Sequence, residues 1–309
     1  MKILVTGGAG FIGSHLVDLL IGKNHEVAII DNLSTGQREN INPKAKFLEA
    51  DITDFEKIEE IFQNEKPEVV YHFAAQIDVR KSVSDPLNDA RTNILAGLNL
   101  IGLAQKYGAR KFIFSSTGGA IYGDTDRRPT TEDHSEWPLS PYGIAKLTTD
   151  KYLNYYHQIH GLKFISLRYG NVYGPRQNPH GEAGVVAIFL NKMLKGDQPT
   201  INGDGLQTRD YVFVEDVARA NLAALENFDK IGIYNVGTGI ETDVNQLFQE
   251  INKNFESKFQ EQHGPAKLGE QKTSCLDASK IKKDLGWEPQ VNFTKGIKKT
   301  FEWFRKNSK

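Results

Sequence analysis

The chain predicts an α/β fold, a doubly wound parallel sheet with a smaller C-terminal lobe, and three observations carry that prediction. Short apolar runs of strand length alternate with helical stretches through the first half, the rhythm of parallel strands joined by crossover helices. The first run, Ile3-Leu4-Val5, enters Gly7-x-x-Gly10-x-x-Gly13, and residues 11–20 then read as a helix. The second run, residues 26–30, ends in an acid, Asp31. Glycines in that turn permit a tight bend and let backbone approach a pyrophosphate, while the helix N-terminus offers N–H groups and a positive dipole end. An acid closing the second strand accepts hydrogen bonds from ribose hydroxyls and repels a 2′-phosphate, which favours NAD over NADP. Gly7, Gly10, Phe11, Ile12, Gly13, Asp31 and its neighbour Asn32 are therefore the first candidate cofactor residues.

The remaining elements follow in order. A third strand is predicted at 46–50 and a helix at 54–63. The strand at 69–73 precedes a long helix at 87–107, and the strand at 111–115 precedes a helix at 141–160 that leads into a strand at 164–168. Beyond Gly170 the rhythm breaks. Gly and Pro cluster in Gly174-Pro175-Arg176 and Gly203-Asp204-Gly205, with helices predicted at 185–195, 214–226 and 245–255. Residues 1–170 are assigned to a dinucleotide-binding domain and residues 171–309 mainly to a substrate lobe, some of whose segments return to the first domain. Ligands are expected at the carboxyl ends of the strands.

Composition narrows the function classes. A chain of 309 residues can bury a large core, and its formal net charge of −1 is spread without basic or acidic tracts, so neither nucleic acid nor a charge-driven partner is expected. The single cysteine, Cys275, excludes an internal disulfide and suits a reducing compartment. The sequence enters its first strand at once and has no apolar stretch of membrane-spanning length, so a cytoplasmic protein without a signal peptide or membrane anchor is expected. His157 and His160 lie at helical spacing with no acid or cysteine nearby, and no metal site is expected.

Tyr142-Gly-Ile-Ala-Lys146 is the second informative constellation. Ser140-Pro141 reads as an N-cap followed by proline at the first helical position, which starts a helix at Tyr142 and puts Lys146 one turn on, on the same face. An ammonium and a helix N-terminus beside a phenol both lower its pKa, so Tyr142 is expected to act as a base near neutral pH. Tyr107 and Lys111 share the spacing, but Gly108 ends that helix and the pair does not share a face. Just upstream, Ser115-Ser116-Thr117 closes a strand beside the cofactor crevice. Thr117 is expected to hydrogen-bond a substrate oxygen, with Ser116 behind it. Ser115 reads as a hydroxyl serving the turn at the cofactor side.

Gly-x-x-Gly-x-x-Gly, Asp31, Asp51-Ile52, His72-Phe73-Ala74-Ala75, Asn93, Ser116-Thr117 and Tyr142-x-x-x-Lys146 together resemble the extended short-chain dehydrogenase/reductase superfamily. Within it, three motifs are similar to nucleotide-sugar 4-epimerases, above all those acting on UDP-glucose and UDP-N-acetylglucosamine. They are Arg168-Tyr169-Gly-Asn171-Val-Tyr-Gly174-Pro175-Arg176, Gly203-Asp-Gly-x-x-x-Arg209-Asp210-Tyr211 and Asn235-Val-Gly237-Thr-Gly239. The likeness spans essentially the whole chain. It implies a Rossmann-type sheet, bound NAD, a UDP-sugar substrate, and a homodimer built from the helices at 87–107 and 141–160. It also implies that Asp51 and Ile52 hold the adenine, that Phe73, Ala74 and Ala75 pass along the cofactor, that Asn93 and Ser115 sit beside it, and that Tyr169 lies near the nicotinamide. Asn171 and Arg209 would hold the UDP part. The implied chemistry is inversion at C4 of a UDP-hexose through a transient 4-keto sugar, with Tyr142 as base beside Lys146 and Thr117 steadying the oxygen.

Two positions depart from the resemblance. Where many relatives carry an arginine for UDP, this chain has Lys267, followed by Glu270, and a lysine supplies charge without a bidentate fork. Ser274 falls at the wall beside the sugar's C2 substituent, where a small residue leaves room for an N-acetyl group, so UDP-N-acetylglucosamine is the preferred expectation. The nearest alternative is a sugar-nucleotide lyase of the same fold, such as a UDP-glucuronate decarboxylase. Dehydrating relatives carry an acidic pair after the hydroxyl residue, whereas Gly118-Gly119 follows Thr117 here. An NAD-sensing protein without catalysis is the other alternative, and Thr117, Tyr142 and Lys146 together argue against it.

Overall fold

Apolar strand runs need cover on both faces, and here they receive it from helices packed on either side of one parallel sheet. The structure, a computed structural model, describes residues 1–180, 184–266 and 271–307. Its strands are β1 (Lys2–Thr6), β2 (Glu26–Asp31), β3 (Lys46–Glu49), β4 (Val69–His72), β5 (Lys111–Thr117), β6 (Lys163–Tyr169), β7 (Asn171–Tyr173), β8 (Ile201–Asn202), β9 (Thr208–Phe213), β10 (Gly232–Val236), β11 (Glu241–Asp243) and β12 (His263–Gly264). The main sheet runs β10-β6-β5-β4-β1-β2-β3, all parallel. The order reverses between β1 and β4, and that switch point is where an open α/β sheet binds its ligand.

The helices are α1 (Phe11–Gly22), α2 (Phe55–Glu65), α3 (Val79–Ser84), α4 (Pro86–Ala90), α5 (Ala96–Lys106), α6 (Gly118–Ile121), α7 (Pro141–His160), α8 (Val185–Leu194), α9 (Val214–Glu226), α10 (Val244–Asn252), α11 (Ser279–Leu285) and α12 (Phe293–Asn307). Strand side chains alternate between faces, so Ile3 and Val5 join one core with Leu16, Leu20, Val217 and Ala220, while Leu4 joins the other with Ile58, Phe62, Leu100 and Leu153. β10, α9 and α11 come from the second half of the chain yet complete this sheet and one of its faces. A third core, around Phe189, Phe213, Phe248 and Ile297, belongs to α8, α10, α12 and the small β11-β9-β7 sheet.

The long helix expected over 87–107 is three pieces. Between α4 and α5, residues Arg91–Leu95 form a π-turn. Its widened backbone accompanies a buried Asn93 whose side chain accepts from Gln76 N–H at 2.9 Å and donates to Gln76 C=O at 2.8 Å and to Asp89 Oδ1 at 2.9 Å. A continuous pattern of helix formers concealed that tertiary demand. Among the described residues no helix is long and apolar enough to cross a membrane, and no group of three metal-ligating side chains occurs.

Candidate active site

A cleft of about 910 Å³ opens at the carboxyl ends of β1, β2, β4, β5 and β6. Gly7 sits at its floor with φ of 72°, and a Cβ there would lie 2.6 Å from Ala74 N, so the β1–α1 turn and the segment after β4 touch backbone to backbone. A Cβ on Gly13 would lie 2.3 Å from Gly7 O, which is why the first turn of α1 can tuck under the loop. Gly10 precedes α1 as a cap residue without a side chain, and the first turn holds no acid, leaving its N–H groups for an anion.

The acid at the end of β2 is held ready. Asp31 Oδ2 accepts from Ala9 N–H at 3.0 Å and Oδ1 from Leu33 N–H at 2.9 Å, and burial pushes its carboxyl above the usual range against those two bonds. Next to it, Asn32 donates to Asp51 Oδ2 at 2.8 Å. Burial would raise Asp51, but bonds from Thr53 and Asn32 hold it below the ordinary carboxylate range. An uncapped helix N-terminus, two close-approach glycines and an anchored strand-end acid lie along one cleft, and this donor and acceptor set fits a dinucleotide.

The opposite wall brings the chemistry-bearing groups together. Ser140 accepts from Gly143 N–H at 3.1 Å and starts α7, with Pro141 in the first turn. Gly143 lets α7 press on α6, since a Cβ there would lie 2.5 Å from Ala120 O. Lys146, only 4% exposed, donates to Ser115 C=O at 2.8 Å, with its Nζ 5.7 Å from the centroid of the Tyr142 ring. Burial pulls the Lys146 ammonium down to about 8, with Asp150 and Asp89 opposing. Burial first, then the Asp89 charge, pushes the Tyr142 phenol above its ordinary value, opposite in direction to the lowering expected from the lysine and the helix end. Thr117 Oγ1 accepts from Ala120 N–H at 3.3 Å, which leaves the hydroxyl proton to donate elsewhere.

Every predicted cofactor residue except Asn93 lines this cleft, as do Ser116 and Thr117. Asn93 lies behind the wall and fixes the Gln76 backbone from there. Ser116 turns its hydroxyl inward, 3.5 Å from Asp150 Oδ2, and Tyr169 is hydrogen-bonded through its phenol to Asn221 and to Ser115. Asn171 and Ser274 lie outside the cleft proper but converge with Thr117 on Gly119, where a Cβ would sit 3.8 Å from Ser274 Oγ and 3.9 Å from both Asn171 Oδ1 and Thr117 Oγ1. Arg209 donates to Thr208 C=O at 2.7 Å and to Gln271 C=O at 2.7 Å, at the edge of the same region. Lys267 and Glu270 fall outside the described residues. Sequence reasoning passed over Gln76, Asp78 and Lys81 after β4, and Arg176, Gln177 and His180 after β7, all of which line the cleft. Both groups directly follow a strand of the site, and that position was the signal available.

The chain matches the NAD dependent epimerase/dehydratase family over residues 3–237. It is 50% identical to the UDP-glucose 4-epimerase of Thermotoga maritima, solved with UDP-glucose, with all of each chain covered and a TM-score of 0.96. It is 43% identical to the UDP-glucose 4-epimerase of Mycolicibacterium smegmatis, with 100% of each chain covered. It is 36% identical, with a TM-score of 0.92, to the UDP-N-acetylglucosamine 4-epimerase of Methanobrevibacter ruminantium solved with UDP-N-acetylmuramic acid, covering 98% of this chain and 97% of that one. The chain therefore belongs to the NAD dependent epimerase/dehydratase family and is an enzyme whose cofactor is NAD.

Proposed function

We propose that this enzyme inverts C4 of a UDP-hexose, interconverting UDP-glucose with UDP-galactose and their N-acetylated counterparts. The observation that carries the reading is the meeting of Thr117, Tyr142 and Lys146 at the carboxyl end of β5, on the far wall of the NAD cleft. Relatives at 43% and 50% identity that are named UDP-glucose 4-epimerases support it. Held by the residues of the cleft, NAD would supply the acceptor for the C4 hydride and its return. Tyr142 removes the proton from the C4 hydroxyl, and the Thr117 hydroxyl donates to the same oxygen. Burial pushes the phenol upward, and the Lys146 ammonium, kept in place by Ser115 C=O, stabilises the phenolate electrostatically. Asn171 and Arg209 anchor the nucleotide while the 4-keto sugar turns over and presents its other face.

Ser274 and Gly119 together leave a wall of small residues, which supports acceptance of a C2 N-acetyl group. The preference for UDP-N-acetylglucosamine expected from the sequence rests on that residue, while the two relatives named above favour UDP-glucose. Exposed Ile144, Tyr152, Tyr155 and Ile159 form one stripe of α7, beside exposed Leu87 and Leu95, and this apolar face supports a homodimer. The direct test of the base is Tyr142→Phe. Its turnover should fall by about 10²–10⁴-fold with NAD still bound, measured as UDP-galactose formation from UDP-glucose. Near-normal turnover would remove Tyr142 from its assigned role.

A further inference from the structure

One buried ion pair stands next to the site and has no part in the chemistry just described. Asp150 lies one turn beyond Lys146 on α7 and has no exposed surface. Ser166 donates to its Oδ1 at 2.5 Å, Arg168 donates to Oδ2 through Nε at 3.1 Å and Nη2 at 2.8 Å, and the Ser116 hydroxyl reaches Oδ2 at 3.5 Å. Arg168 is wholly buried and uses its other donors on Tyr122 Oη at 3.1 Å and Glu136 Oε1 at 2.5 Å. β5 and β6 pair Ser116 with Arg168 and Thr117 with Tyr169. One carboxylate thus ties the helix bearing Tyr142 and Lys146 to β6, whose neighbour in the sheet is the β5 end bearing Thr117. A buried pair of this kind often stabilises a fold no better than well-packed apolar groups of similar volume, so it is weak evidence for a role in stability.

We propose that Asp150 is a positioning residue for the Tyr142–Lys146 pair, fixing α7 against β6 beside the end of β5 and presenting a buried negative charge to the Lys146 ammonium, with Arg168 holding the carboxylate in place. The inference rests on the reading of Tyr142 and Lys146 as the acid–base pair. The groups facing Lys146 leave few alternatives. On β4, His72 is neutral, pulled down to about 3 by burial, and β5 offers the Ser115 carbonyl and the Phe114 ring. Asp89 on α4 is the second carboxylate, with Oδ1 accepting from Gln76 at 3.0 Å and Asn93 at 2.9 Å. Burial lowers Lys146, and Asp150 is the stronger of the two charges opposing it. Without that charge, both apparent pKa values of the coupled pair move acidward.

Asp150→Asn keeps the size and the hydrogen-bonding oxygen while removing the charge. The bell-shaped pH profile of kcat for UDP-glucose to UDP-galactose conversion should move acidward by on the order of one unit. At pH 8.5, kcat should fall by about tenfold, with KM changed by less than about twofold. NAD content should be retained in the folded protein, while Tm falls because Arg168 is left buried without the Asp150 carboxylate. Glu136→Gln, at the outer end of the same chain of charges, should move the profile the same way by about 0.3 unit, and it gives the reading if Asp150→Asn does not fold. Unmoved limbs with kcat lowered equally at every pH would overturn the proposal and leave Asp150 a purely structural residue. A wild-type enzyme with no interconversion would instead overturn the assignment of Tyr142 and Lys146, and the proposal with it.

Discussion

Substituting Gly7 with alanine should damage the fold and the cofactor site together, and the cost can be worked from two features. At φ of 72° an alanine pays the left-handed penalty, roughly 1 kcal/mol. Its Cβ would also lie 2.6 Å from Ala74 N and 2.9 Å from Phe73 C, backbone atoms with no rotamer to give way. Relief requires moving the β1–α1 turn away from the 73–75 segment, a strain of about 1–3 kcal/mol. The sum, about 2–4 kcal/mol, corresponds to a fall in Tm of roughly 3–6 °C for a chain of this size. Because both segments line the cleft, retained NAD should fall as well. Gly22→Ala is the control, since a Cβ there meets nothing within 4 Å and helix propensity alone should stabilise by about 0.5–1 kcal/mol. Calorimetric scans with and without added NAD read both effects. A Gly7→Ala protein that melts like wild type and keeps its NAD would refute the close-approach argument.

Two further outcomes follow from burial and exposure. His72 is buried and neutral, accepting from or donating to Thr6 Oγ1 at 2.8 Å, and burial pulls it from 6.5 to about 3. Between those values the unfolded chain binds the extra proton, so stability is complete above pH 6.5 and declines as pH falls. Urea unfolding should show wild type losing about 1.5 kcal/mol more than His72→Gln between pH 6.5 and 5.0, and equal losses would contradict the buried neutral histidine. Leu95→Asp combined with Ile159→Asp, both at exposed positions, should convert a dimer to a folded monomer by light scattering. A wild-type monomer at micromolar concentration would remove the dimer proposal.

What was legible in the sequence was whatever depends on local pattern. The glycine turn, the acid closing β2 and the Tyr142–Lys146 face of α7 each follow from spacing within one strand or one helical turn. The π-turn at Arg91–Leu95 was not legible, because Asn93 is drawn inward by Gln76 and Asp89, and no propensity records that pull. The same holds for β10, a five-residue strand whose partner β6 lies about sixty residues earlier in the chain. Electrostatics failed for a related reason. Spacing gave Tyr142 a cation at one turn, but desolvation depends on everything packed around the phenol, and here it pushes the phenol upward. Ser116 was placed by spacing at the strand end, and it lines the cleft, but no local pattern could show that its hydroxyl also lies 3.5 Å from Asp150.

The most direct test of the central claim gives the purified enzyme UDP-glucose and UDP-N-acetylglucosamine in separate tubes with no NAD added, and follows the anomeric signals by proton NMR. Appearance of UDP-galactose in the first tube is the predicted result, since retained NAD is regenerated in each turnover, and the galacto epimer in the second would show that the wall at Ser274 admits the N-acetyl group. An enzyme that keeps its NAD yet converts neither sugar would contradict the 4-epimerase account.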